Sequence, residues 1–331
     1  MNSFGRVFKI SIFGESHGNC VGVTIDGCPA GIPLCVEDFD EDLKRRQSGA
    51  LGTTPRKEPD LPKLISGVFN KRTTAAPLTI LFENTNTQSK DYTLLAAQPR
   101  PGHADFVAWK KYGGFNDYTG GGHFSGRLTL ALVAAGVVAK KILNEIRIHA
   151  ELIEAGGQTN VQEAVLKAIE EHDSIGGVVE CKTTGIPIGL GEPFFDSVES
   201  VLSHMVFSIP AIKGIEFGSG FQAAKMLGSE HNDNILNDRG ETETNNAGGI
   251  NGGISNGNEL VFRVAVKPTS SIEKPQKTLN IKNGKQEELR IEGRHDRCIA
   301  IRVPPVIEAA TAIVLADFML IEQNVKRVFE E

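Results

Sequence analysis

Cysteine is scarce in this 331-residue chain, and the five present, Cys20, Cys28, Cys35, Cys181 and Cys298, share no metal-ligand or Cys-x-x-Cys spacing. An odd, scattered set excludes a disulfide framework, reads as buried thiols and gives no reason to expect a metal. Long apolar runs are lacking too. None approaches the roughly 18 residues of a membrane span, so no membrane partner is expected. The stretch 1–9 has no continuous apolar core followed by a small-residue cleavage site, which makes the cytoplasm the expected location. Positive charge is not in excess either: 35 Lys+Arg against 41 Asp+Glu give a formal charge of −6 and a pI near 5.8. That balance argues against nucleic acid as a partner.

Glycine, by contrast, is abundant, with 36 residues that lack the strict period of collagen. Many places therefore require close backbone approach or positive φ. The length allows two domains of about 150 residues, or one large one burying about three-quarters of its surface. Short β-rich runs at 4–13 and 21–25, bounded by glycine, predict an opening antiparallel pair. Residues 36–46 turn helical, acidic early and with Lys44, Arg45 and Arg46 late, an order that suits the helix dipole and places the arginines at its C-terminal end. Strands are expected at 64–69, 78–82, 214–217 and 260–266, and helices at 104–111, 195–205 and 306–325. Segment 126–143 is apolar nearly all round and reads as a buried helix. A faint repeat links 22–33 and the helix after it to 177–187 and the helix after that. Strands and helices interleave without βαβ alternation, so the expected class is layered α+β.

Gly14-Glu15-Ser16-His17-Gly18 spells the G-x-S-x-G of serine hydrolases. Such an elbow needs a helix directly after the serine, whereas a second strand follows here. A tight turn between strands, presenting Ser16 and His17, fits better. Gly218-Ser219-Gly220 mimics a dinucleotide fingerprint, but the carboxylate that could serve it, Glu241, lies in a polar loop, and a glycine turn opening a short helix is preferred. Four further loops combine glycine with cations. They are Arg100 to Asp105, Gly120 to Arg127, Lys267 to Ser271, and Gly293 to Asp296. Each alone reads as a solvated loop. Together, in a net acidic chain, they point to a ligand with several negative charges.

These motifs resemble the chorismate synthase family. The stretches 13–18, 42–46, 53–58, 100–105, 120–127, 209–214, 246–249, 267–271 and 293–296 occur in the family's order over essentially the whole chain. The resemblance implies a β-α-β sandwich with an internally duplicated core, a single unit over 1–331 with pseudo-duplicated halves of about 1–150 and 151–331, and a homotetramer. It implies conversion of 5-enolpyruvylshikimate 3-phosphate to chorismate and phosphate by anti-1,4 elimination, the last step of the shikimate pathway. Reduced FMN serves without net redox change. By resemblance His17 protonates the departing phosphate, His103 holds the reduced flavin in its correct protonation state, and Asp296 works with flavin N5 to remove the C6 proton. Arg46, Arg100 and Arg127, with Arg45 less so, match positions that bind substrate anions. His123, Phe124, Ser125, Pro210, Ala211, Gly252, Lys267, Pro268, Thr269, Ser270, Ser271 and Arg294 match FMN-contacting stretches. The chain departs from many members at His123 and Phe124, where Arg-Ser is usual, and at Leu128 and Leu132, where Glu and Arg are. Near Gly52 it lacks an arginine found in many members, in the loop that contacts the phosphate or, in reductase-bearing members, a pyridine nucleotide (NADP); Arg56 is four residues away. Reduced flavin then comes either from the chain's own NADPH-dependent activity or from an external flavin reductase as partner. A flavin- or pyridine-nucleotide-dependent oxidoreductase and a non-enzymatic anion- or flavin-binding module are the competing readings.

Overall fold

The structure, a computed structural model, describes residues 2–54, 58–85, 96–291 and 295–322. The opening pair forms as expected. Strands Lys9–Gly14 and Cys20–Asp26 run antiparallel, and alternation puts Val21, Val23 and Ile25 on the buried face. Leu78–Glu83 joins the other edge of Cys20–Asp26 with Leu78, Ile80 and Phe82 buried on the same side. Ser3–Phe4 and Lys63–Ser66 complete a five-stranded antiparallel sheet. A second, four-stranded sheet runs Ile212–Phe217, Leu260–Val266, Gly177–Thr184, Arg147–Ala155. Its central register sets Phe262 opposite Cys181 and Val264 opposite Val179, all four buried. Strand Arg147–Ala155, whose alternation breaks at a register shift between Leu152 and Glu154, and the Asn160-capped helix Val161–Glu170 are additional to the elements expected from the sequence.

The expected buried helix appears as a short 3-10 turn, Gly126–Leu128, leading into Thr129–Ile142. It packs on the first sheet and, on its other flank, against helix Pro304–Ile321, which lies on strands Arg147–Ala155 and Gly177–Thr184 of the second sheet. The two helices approach closely because small residues face each other. A Cβ on Gly136 would stand 2.3 Å from the Cβ of Ala309. Gly136→Ala is expected to lower stability although alanine favours helix by about 1 kcal/mol. Overpacking against a backbone-attached methyl costs about 1–3 kcal/mol, and a urea midpoint at or above wild type would show that the helices can separate without penalty.

Helix Pro304–Ile321 is long and apolar enough to cross a membrane by length and composition, which corrects the expectation that no segment came near this. It is nearly all buried between protein layers, and it carries Glu308 and Asp317, each supplied with donors. Asp317 accepts the backbone N–H groups of Arg6, Val7 and Phe8 at 2.7–2.9 Å, clamping the N-terminal segment to the end of this helix.

Candidate active site

The turn between the first two long strands is built around His17. Asn84 donates through Nδ2 to the carbonyls of Glu15 (2.9 Å) and Gly18 (2.8 Å), and Ser16 N–H donates to the Gly122 carbonyl at 3.0 Å. His123 Nδ1 meets the Gly14 carbonyl at 2.8 Å. The Ser16 side chain is nearly enclosed, with Oγ 3.2 Å from His17 Nδ1, and the chain continues into strand Cys20–Asp26 where a nucleophile elbow would continue into a helix. The hydrolase spelling is thus a strand-to-strand turn.

Opposite this turn runs Gly120-Gly121-Gly122, with φ of +57°, +84° and +53°. Here glycine is required for space as well as for backbone angle. A Cβ on Gly120 would fall 2.1 Å from the His17 ring, and one on Gly121 3.2 Å from the ring of His103. The same bare backbone segment therefore faces both imidazoles.

His103 follows Gly102, whose carbonyl accepts from Lys267 Nζ and from Ser270 Oγ (2.8 Å). Its Nδ1 lies 2.5 Å from Asp105 Oδ1. Asp105 also takes Arg100 in a two-pronged ion pair, Nε to Oδ2 at 2.7 Å and Nη2 to Oδ1 at 2.9 Å. Burial opposes its ionisation, but the Arg100 and His103 hydrogen bonds prevail and hold the carboxyl well below the usual range.

A second charged cluster joins distant segments. Arg46, fully enclosed, donates from Nε to Thr129 Oγ1 (3.0 Å) and from Nη2 to the Gly126 carbonyl (3.1 Å). Asp60, buried at φ +48°, pairs with Arg127 Nη1 at 2.9 Å and with Arg46 Nη1 at 3.6 Å. Arg127 Nε reaches Asn84 Oδ1 at 2.5 Å, so this cluster is tied to the His17 turn. Arg302 donates from Nε to the Arg46 carbonyl (2.9 Å) and from Nη1 to Asp296 Oδ2 (3.4 Å), while Asp296 Oδ1 accepts Thr54 N–H at 2.9 Å. Burial first, then the charge of Arg302, pushes the Arg46 guanidinium down to about 9, and it remains protonated at neutral pH.

Both clusters open onto one cleft of about 1490 Å³. Among the described residues six cationic side chains, Arg46, Arg100, Arg127, Lys213, Lys267 and Arg302, line it against three carboxylates, Glu58, Asp60 and Asp296. In a chain of net charge −6 that excess concentrates positive potential in a concave site. Leu128, Leu132, Met205, Ile209, Val303 and Val306 give it an apolar wall. Ser125, Pro210, Ala211 and the 267–271 stretch also line it, as do His123 and Phe124. Burial, and after it the charge of Lys213, lowers the Lys267 ammonium below its ordinary value.

Two residues assigned from the sequence lie away from the cleft lining, and a third, His17, stands against Ser16 and Gly120, which do line it. Arg45 does not face the cleft. One residue along a helix is a turn of about 100°, and Arg45 instead grips Glu308 with two bonds of 2.7 Å on the far side. Gly252 lies between the short strands Ile250–Asn251 and Ile254–Ser255, away from the cleft-lining residues. Arg294 lies outside the described residues. Sequence reasoning missed Asn84, Asp60, Asp105 as a partner, and Arg302. A signal existed for the last: a cation just before a long helix opposes the dipole and so calls for another purpose.

A positively charged cleft lined by His103 and a fixed carboxylate, with the His17 ring against Gly120 at its margin, carried on two antiparallel sheets and their helices, suits an α+β enzyme with a small anionic ligand. The chorismate synthase family profile matches residues 8–320. The chain is 66% identical to the chorismate synthase of Chitinophaga pinensis over 331 residues, covering all of both chains. It is 42% identical to that of Methanocaldococcus jannaschii, covering 97% of this chain and 96% of that one. A solved chorismate synthase crystal structure superposes with a TM-score of 0.73 at 26% identity, over 96% of this chain and 93% of the other. The chain belongs to the chorismate synthase family. It is accordingly a lyase of the shikimate pathway (EC 4.2.3.5), an enzyme of aromatic biosynthesis with a small-molecule substrate.

Proposed function

We propose that this cleft converts 5-enolpyruvylshikimate 3-phosphate to chorismate and phosphate by anti-1,4 elimination. The substrate loses a proton from C6 and phosphate from C3, and one new carbon–carbon double bond results. The observation that carries the reading is the glycine segment 120–121, which packs on the rings of His17 and His103 where Gly120 and His103 line a cationic cleft. A substrate with two carboxylates and a phosphate matches that charge, and Arg46, Arg100 and Arg127 are the guanidiniums assigned to it.

The residues present fit a flavin mononucleotide. Thr269 Oγ1 is buried in the cleft wall with no hydrogen-bond partner among the described residues, which supports a further polar group there. The apolar wall suits a flat ring. Ser125, Pro210, Ala211 and Lys267 to Ser271 are assigned to hold it, with Phe124 at its edge. His123 already serves the Gly14 carbonyl and meets Asn2 Oδ1 at 3.2 Å, so it supports the wall. When bound there, reduced flavin would supply transient electron density without net redox change. His17 delivers a proton to the leaving phosphate, His103 holds the protonation state of the cofactor side, and the Asp296 oxygens draw the C6 proton away. We also infer a single β-α-β unit over 1–331 with pseudo-duplicated halves near 1–150 and 151–331, a cytoplasmic homotetramer, and supply of reduced flavin either by an external reductase or by the chain's own NADPH-dependent activity.

The test is anaerobic incubation of purified protein and substrate with oxidised or chemically reduced FMN. Chorismate and phosphate with reduced FMN alone, and no stoichiometric flavin oxidation, is the expected result. Consumption of reductant per product would sink the elimination. Product with NADPH as sole reductant would decide for the chain's own activity over an external reductase. Gly120→Ala should mimic loss of His17 by displacing its ring, lowering turnover about 100-fold while the fold survives. Unaltered turnover in that variant would separate His17 from the chemistry.

A further inference from the structure

The geometry points to Asp105 as a positioning residue that fixes the proton of His103 on Nδ1 and so presents Nε2 to the cleft. The inference rests on the proposed role of His103 for its effect on turnover, but not for the tautomer itself.

Two groups compete for His103 Nδ1: Asp105 Oδ1 at 2.5 Å and Arg100 Nη2 at 3.1 Å. A bare Nδ1 could accept from Arg100, yet it would then set its lone pair against a carboxylate oxygen 2.5 Å away. A protonated Nδ1 donates to that oxygen in a short, charge-assisted bond and tolerates the longer approach of Arg100. The carboxylate wins because it is ionised, held on both oxygens by Arg100, and nearly out of solvent, its side chain 9% exposed. With Nδ1 committed, Nε2 is the atom left facing Gly121 and the cleft.

The arrangement of donors around Asp105 also determines what an amide would do. Oδ2 accepts both the backbone N–H of Arg100 (3.0 Å) and its Nε (2.7 Å), so it must remain an oxygen. In Asp105→Asn the NH₂ group therefore settles at the Oδ1 position, where it gives up the Arg100 Nη2 bond but faces His103, whose Nδ1, unlike the two donors on Oδ2, can turn acceptor. Nδ1 must then accept, and the proton moves to Nε2. Arg100 keeps its anchor on the remaining oxygen.

The experiment is ¹⁵N NMR of the full chain labelled at histidine, with the His103 resonance assigned by His103→Gln, together with steady-state kinetics of Asp105→Asn. Wild type is expected to carry its proton on Nδ1, and the variant to show a bare Nδ1 with kcat about 100-fold lower and KM within about threefold. A wild-type spectrum with bare Nδ1 overturns the inference even if the variant fails to fold. So does an unchanged tautomer in a folded variant, or a switched tautomer with full turnover. A wild type that makes no chorismate would defeat the proposed reaction while leaving the tautomer measurement to stand or fall by itself.

Discussion

Asp296→Asn is expected to lower turnover by about 100- to 10,000-fold, the range contributed by a positioned acid or base, with thermal unfolding close to wild type. The carboxylate is placed by two long-range contacts, Thr54 N–H on one oxygen and Arg302 on the other, and its side chain is only 12% exposed. Asparagine keeps the first contact through its carbonyl oxygen. Its NH₂ then meets the Arg302 guanidinium donor to donor, and the group can no longer accept a proton from carbon. Because the Arg302 contact is long at 3.4 Å and the carboxylate borders the cleft rather than the core, little stability depends on it. Rates of chorismate formation measured anaerobically, beside melting curves, decide the matter. Near-normal turnover in a folded variant would remove Asp296 from the reaction.

The largest effect on stability is expected at Glu308, remote from the chemistry. Its carboxylate is buried in the second turn of helix Pro304–Ile321 and is met by Arg45 through two bonds of 2.7 Å, by Lys140 Nζ at 3.0 Å and by Ala150 N–H at 3.0 Å. One side chain thus joins helices Asp40–Arg46, Thr129–Ile142 and Pro304–Ile321 to strand Arg147–Ala155. Glu308→Ala leaves a buried N–H unpaired and strands two cations. Breaking a buried pair costs about 3–5 kcal/mol. A value of about 3 kcal/mol is expected, at the low end of that range, because Arg45 and Lys140 are partly exposed and keep Asp42 as a partner.

The pH dependence provides a second readout. Burial raises the Glu308 carboxyl, but the Arg45 hydrogen bonds, Lys140 and Ala150 together outweigh it and leave it below its ordinary value. Its stabilisation is then complete above the unfolded carboxylate range and is lost as pH falls through the lower folded value. The stability gap between wild type and Glu308→Ala, measured by urea unfolding, should be widest near neutrality and narrow on acidification. A gap that stays constant into acid would show that the lost contribution is packing rather than charge.

Arg45 and Arg46 show where local sequence stops being informative. Both end the same helix, and both match anion-binding positions of the family. Rotation about the helix axis sends Arg46 into the cleft and Arg45 to Glu308, a partner 263 residues away. Nothing in a window around either arginine distinguishes them. Asp60 and Asn84 are similar cases, since their importance comes from Arg46, Arg127 and the His17 turn, which meet them only after the first sheet has folded.

The sequence by itself determined the opening hairpin, the buried helix before residue 143, the α+β class and the glycine-flanked cationic loops. Each of these depends on alternation, composition or backbone freedom within a few residues. It also determined that Ser16 and His17 sit in a turn, because a strand begins again at Cys20. Tertiary structure alone decided which cations reach the cleft, that one glycine segment faces both His17 and His103, and that an apolar helix long enough for a membrane is instead enclosed by protein. The physical reason is that charge pairing, close backbone approach and burial are set by groups distant in the chain, and these become neighbours only when the two sheets close on the helices.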